Sequence, residues 1–153
     1  MAVPTADDMH ALGRRVGSQA RPGDLIVVDG VLGAGKTTFA QGVGAAMDVR
    51  GPVTSPTFVI ARVHPSQHHG LDLVHVDAYR LQSLTELDEL DLDTALDESV
   101  TVVEWGQGMA EVLSDERLEL VIARSDNESD EERTVELLAV GERWVDAMPR
   151  LVS

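Results

Sequence analysis

The stretch GVLGAGKTT, from Gly30 to Thr38, restricts what this chain can fold into more than any other segment. It follows the apolar run LIVVD, read as a short buried strand from Leu25 to Asp29. It leads into KTTFAQGVGAAM, read as a helix that ends near Asp48. Gly30, Gly35, Lys36 and Thr37 fill the pattern G-x-x-x-x-G-K-S/T, with a strand before it and a helix after it. The glycines let the backbone curl until successive N–H groups face one anion. The new helix adds its free N–H groups and its positive end. Leu32, Gly33, Ala34, Gly35, Lys36, Thr37 and Thr38 are therefore the expected phosphate-binding residues. Lys36 is the only lysine in the chain, all other basic side chains being arginine. A compact ammonium fits between terminal phosphates where a planar, forked guanidinium does not. Thr37 offers its hydroxyl to Mg²⁺, and a purely structural Gly-rich turn is the alternative reading.

A phosphate cradle calls for a cation, and Mg²⁺ takes one or two carboxylates beside phosphate oxygens and water. LVHVD places Asp77 at the end of one apolar strand, and VTVVE places Glu104 at the end of another. Ligands of open α/β sheets lie at the carboxyl ends of strands, so both acids are expected to project toward the phosphates. Asp77 is assigned to the Mg²⁺ shell. Glu104 is assigned to the attacking water and is also a candidate metal ligand. A helix or turn cap is the plainer explanation of either acid. Trp105 reads equally as core or as a cover over the site. In TSPTF, Thr57 sits in a plain turn or in a loop whose hydroxyl reaches Mg²⁺ or the terminal phosphate. His64, His68 and His69 lie in a polar segment without supporting carboxylates and read as a solvated loop.

The remaining pattern is strands mixed with helices. A helix is expected from Thr5, with Asp8 three residues on forming an imperfect capping box and Gly17 stopping it. TFVIARV (Thr57 to Val63), DLVHVDAY (Asp72 to Tyr79) and VTVVEW (Val100 to Trp105) read as strands. SLTELDELDLDTAL and GMAEVL read as helices, and ERWVDAMPRL as a closing one. RLELVIAR and RTVELLAV read as a hairpin joined by the acidic SDNESDEE. This is a single α/β domain over residues 1–153, its central, mainly parallel sheet covered on both faces and bounded by an antiparallel C-terminal edge.

With no cysteine, disulfides and thiolate metal sites are excluded. No apolar run approaches the ~18 residues of a membrane span, and the N-terminus lacks a secretory pattern, so a cytoplasmic protein is expected. The formal charge of −15 makes the surface a poor binder of nucleic acid. It serves solubility or docking on a basic partner. A guanine-reading Asn-Lys-x-Asp segment cannot exist with Lys36 already used, which favours adenine by elimination.

GVLGAGKTTFAQG, SPTF, HVDAYRL and VEW, in this order and at these separations, resemble the bacterial TsaE (YjeE) family. That family is the small ATPase of tRNA threonylcarbamoyladenosine (t6A) biosynthesis. The resemblance spans roughly residues 5 to 125. It implies a P-loop NTPase fold in three layers, ATP and Mg²⁺ as ligands, and action with the TsaD and TsaB proteins, which carry the tRNA chemistry. By the family pattern, Thr57 belongs to a switch-like loop, Asp77 to the Walker B position, and Glu104 and Trp105 to a functional pair. His75, Tyr79 and Arg80 surround the aspartate. Val31 departs from the pattern, because the family usually carries Asp or Glu there. Two other readings share the phosphate-binding residues: a small-molecule kinase, for which no arginine-bearing lid is evident, and a nucleotide-switched binding module.

Overall fold

A computed structural model describes residues 1–31, 33–54, 61–68, 70–77, 97–105, 114–127 and 129–152. Helix α1 (Ala6–Ser18) opens with Thr5 as N-cap, and the Thr5 hydroxyl and Asp8 carboxylate cap each other's backbone N–H. Both donors would otherwise be orphaned at a helix start. Gly17 does not end the helix as expected; α1 runs on to Ser18 and closes at Gln19. Gly17 is instead a packing glycine, since a Cβ there would stand 2.6 Å from the Val43 carbonyl oxygen.

Among the described residues, seven strands form one sheet: β1 (Ala2–Val3), β2 (Leu25–Gly30), β3 (Ala61–His64), β4 (Leu73–Asp77), β5 (Val100–Glu104), β6 (Arg117–Arg124) and β7 (Arg133–Val140). Their order across the sheet is β1-β7-β6-β2-β5-β4-β3. The central β6, β2, β5 and β4 run parallel. Antiparallel partners flank them: the β6–β7 hairpin and then β1 on one side, β3 on the other. The expected C-terminal hairpin is present, but the short β1 lies outside it. Strands β2, β4 and β5 are buried almost throughout, as parallel strands covered on both faces must be.

Helix α2 (Lys36–Met47) packs against α1, and α3 (Glu142–Val152) closes on β7. Ile26, Val28, Val100, Val102, Leu118, Leu120 and Ile122 from the sheet share one core with Leu12 and Val16 of α1, Phe39 and Val43 of α2, and Trp144 and Leu151 of α3. Leu25, Val27, Val74, Val76 and Val103 are buried on alternate positions, the opposite face. The helices expected in SLTELDELDLDTAL and GMAEVL fall on residues outside those described. Among the described residues, no helix is long and apolar enough to cross a membrane.

Candidate nucleotide-binding site

Because β2, β4 and β5 are parallel, their carboxyl ends meet at one edge of the sheet. Asp77 and Glu104 are register partners at the ends of β4 and β5, and Val28 of β2 stands opposite Glu104. The glycine loop leaves β2 at Gly30 and turns through Gly33 (φ 78°) and Gly35 (φ 113°), left-handed conformations that favour glycine. Gly35 is the N-cap of α2, so the loop delivers its chain directly to a helix N-terminus. Gly30 is also sterically required, since a Cβ there would stand 2.8 Å from the Ile122 carbonyl oxygen.

Lys36 is the first residue of α2 and is 5% exposed. Its Nζ donates to the carbonyls of Gly30 at 2.7 Å and Val31 at 3.0 Å, and lies 3.9 Å from the centre of the Trp105 ring. Burial pulls the ammonium below the usual lysine range, against the opposing pull of Glu104, Asp77 and Asp29. Trp105 follows β5 at φ 61°, a strained conformation for a bulky residue. Its N–H donates to the Val28 carbonyl at 2.9 Å, which holds the ring beside the loop. Val31 projects into solvent, 58% exposed, while its carbonyl accepts from both Lys36 and Ala34. The position contributes its backbone carbonyl to the loop.

Glu104 and Asp77 are 3% and 8% exposed. The Thr37 hydroxyl donates to Glu104 Oε1 at 3.4 Å, and His75 Nε2 bonds Glu104 Oε2. Thr37, Asp77 and Glu104 therefore gather hard oxygen donors beside the loop. No group of three or more His, Cys, Asp or Glu among the described residues forms a metal cage by itself. This donor set suits Mg²⁺, which keeps waters and completes its shell with phosphate oxygens. Thr38 and Ala34 line a small cleft of about 130 Å³ with Thr5, Met9 and Arg133. Leu32 and Thr57 lie outside the described residues, as do Tyr79 and Arg80.

Two residues near the site were not singled out for it from sequence. Arg124, at the end of β6, brings its Nη1 to within 3.2 Å of where a Cβ on Gly33 would be. It shares a groove of about 840 Å³ with Asp29, Gly30, Val31 and Trp105. The order β6-β2, which brings it there, is not encoded in local pattern. His64 is not in a solvated loop: it ends β3 and is 4% exposed. His68 does belong to the polar segment, exposed and paired with Asp48 at 2.7 Å. His69 lies outside the described residues.

A lysine and threonine opening a helix beneath a glycine loop, faced by acids on two neighbouring parallel strands, give this chain the fold of the P-loop class. The family model described as threonylcarbamoyl adenosine biosynthesis protein TsaE matches residues 3–135, and the chain belongs to the TsaE family. It is 55% identical over 141 residues to the tRNA threonylcarbamoyladenosine biosynthesis protein TsaE of Streptomyces coelicolor, covering 91% of this chain and 95% of that one. It is 36% identical to the protein of that name from Bacillus subtilis, covering 90% and 84%. The crystal structure of Bacillus subtilis YdiB superimposes with a TM-score of 0.77 at 31% identity, covering 99% of this chain and 91% of YdiB.

Proposed function

We propose that this protein binds and hydrolyses Mg-ATP in the cytoplasm for tRNA t6A biosynthesis, acting with TsaD and TsaB and reaching tRNA only through them. The observation that carries the reading is Lys36, buried in the glycine loop with Thr37, Asp77 and Glu104 converging on it. A buried ammonium held by the glycine loop's own carbonyls at a helix N-terminus suits a polyphosphate. Adenine is preferred because the chain has no second lysine for a guanine-reading segment.

Chemically, water attacks the γ-phosphate in line with the departing ADP. Lys36 exchanges the carbonyls of Gly30 and Val31 for phosphate oxygens and stabilises the charge that spreads over them. The loop N–H groups and the α2 N-terminus hold the remaining phosphates. Glu104 orients the water and takes its proton, its Oε1 being the oxygen turned toward Thr37. Thr37 and Asp77, with Thr57 as a further candidate ligand, would hold Mg²⁺, which would supply charge neutralisation to the phosphates. Arg80 is the in-chain candidate for an arginine finger. Without one in place, hydrolysis by the protein alone is slow and rises with partners. The test is ATP turnover by the purified protein, with and without TsaD, TsaB and tRNA, in Mg²⁺ and in EDTA. Partner-stimulated, EDTA-sensitive phosphate release is expected; ATP uptake with no release under any condition would favour a nucleotide-switched binding module.

A further inference from the structure

His75 has no part in the chemistry just described, yet it is wholly buried at the heart of the site. It lies on β4 two residues before Asp77, so both project from the same face. Its register partner is Val102, which places Glu104 diagonally across from it on that face. Its Nε2 bonds Glu104 Oε2, and its Nδ1 is buried without a hydrogen-bond partner among the described residues. Those two facts select one tautomer. A proton on Nδ1 would be an orphaned donor and would leave a bare Nε2 lone pair against a carboxylate oxygen. With the proton on Nε2, the ring donates to Glu104 and leaves only a lone pair unsatisfied.

Among the described residues, Glu104 has one hydrogen bond on each oxygen: His75 on Oε2 and Thr37 on Oε1. The Thr37 contact is long, at 3.4 Å, so His75 is the firmer hold. Asp77, its neighbour across the β4–β5 pair, is a like charge and gives no anchorage. We propose that His75 is the positioning residue of Glu104. Its Nε2–H pins Oε2 on the core side, and the carboxylate therefore presents Oε1 at the phosphate side, beside Thr37. His75 touches neither nucleotide nor water and acts only through the carboxylate it holds.

The inference rests on the hydrolytic reading for its kinetic consequence but not for its geometry, so two measurements separate them. In the complex with TsaD, TsaB and tRNA, His75→Leu and His75→Asn are expected to lower kcat about 10- to 100-fold with ATP affinity held within about twofold. His75→Gln is expected to recover most of that loss, because a glutamine amide nitrogen reaches the Nε2 position and an asparagine's falls at Nδ1. A His75→Leu complex with unchanged kcat, or equal damage from all three variants, overturns the proposal. The second measurement needs no turnover. Nitrogen-15 NMR of the isolated protein is expected to show His75 protonated at Nε2, with a downfield proton resonance that moves on Glu104→Gln. Protonation at Nδ1, or a resonance indifferent to Glu104→Gln, overturns it. If the wild-type complex releases no phosphate while the resonance behaves as expected, the hydrolytic reading falls and the positioning stands.

Discussion

The roles proposed for Lys36 and Glu104 have separate experimental consequences. The Lys36 ammonium already sits among loop carbonyls with burial working against its charge. A polyphosphate relieves that unfavourable burial, so the side chain contributes to binding before any chemistry. Lys36→Ala is expected to weaken Mg-ATP binding at least about tenfold, as a lost charge-assisted contact does, read by calorimetry. In the proposed mechanism Glu104 acts on the water rather than on the phosphates. Glu104→Ala is expected to lower turnover about a hundredfold or more while calorimetric ATP affinity changes little. Loss of binding at unchanged turnover would reverse the two assignments. The pieces visible in sequence were those whose position is marked by local pattern: Lys36 and Thr37 by the glycines, Asp77 and Glu104 by ending apolar strands. The His75–Glu104 bond was not visible, because 29 residues separate its ends and a diagonal across two strands joins them. Arg124 was hidden for the same reason.

At the scale of elements, α1 and α2 meet through glycines, and the meaning of these glycines changes with their neighbours. A Cβ on Gly13 would fall 2.1 Å from the Phe39 carbonyl oxygen, and one on Gly42 would fall 2.1 Å from the His10 carbonyl oxygen. Intrinsic propensity argues that Gly42→Ala stabilises a helix by about 1 kcal/mol. The clash is with backbone, which cannot swing aside, so overpacking of about 1–3 kcal/mol or more wins. Gly42→Ala is therefore expected to destabilise the protein, lowering its urea midpoint. Sequence reading took Gly17 for a stop signal because a single chain offers no sight of the helix packed against it. The edge strands escaped similarly: β1 has two residues, and the direction of β3 depends on a pairing with β4. On β3, burial pulls the His64 imidazole below the usual histidine range, helped by His75 and Arg62 and opposed by the Arg50 backbone. The unfolded chain then takes up this proton first, so the contribution of His64 is present above pH 6.5 and is lost as pH falls toward the lower folded value. His64→Phe is expected to flatten that part of the stability profile, measured as urea midpoints on either side of pH 6.5.

On the scale of the whole molecule, the formal charge of −15 must be reconciled with a role in tRNA modification. Affinity for nucleic acid comes largely from phosphates neutralised by lysine and arginine. Here 12 basic residues face 27 acidic ones. Of the 12, Lys36 is buried in the nucleotide loop and Arg143 is bonded to Asp24, which takes both out of any basic surface. A polyanion approaching this surface meets net repulsion that low salt intensifies rather than relieves. Under the proposed function ATP would escape the same repulsion, because the glycine loop, the α2 N-terminus and a divalent ion would act at contact distance in a partly desolvated site. The protein should therefore discriminate between two anions by locality: tight for a small polyphosphate that fits the loop, weak for a large one that must face the whole surface. Fluorescence anisotropy with labelled tRNA is expected to show no saturable binding to the isolated protein even at low ionic strength, while Mg-ATP binds under the same conditions. Adding TsaD and TsaB should bring tRNA and this protein into one sedimenting complex. Saturable tRNA binding by the isolated protein that strengthens as salt is removed would mean that a local basic surface outweighs its net charge, and the indirect route to tRNA would have to be abandoned.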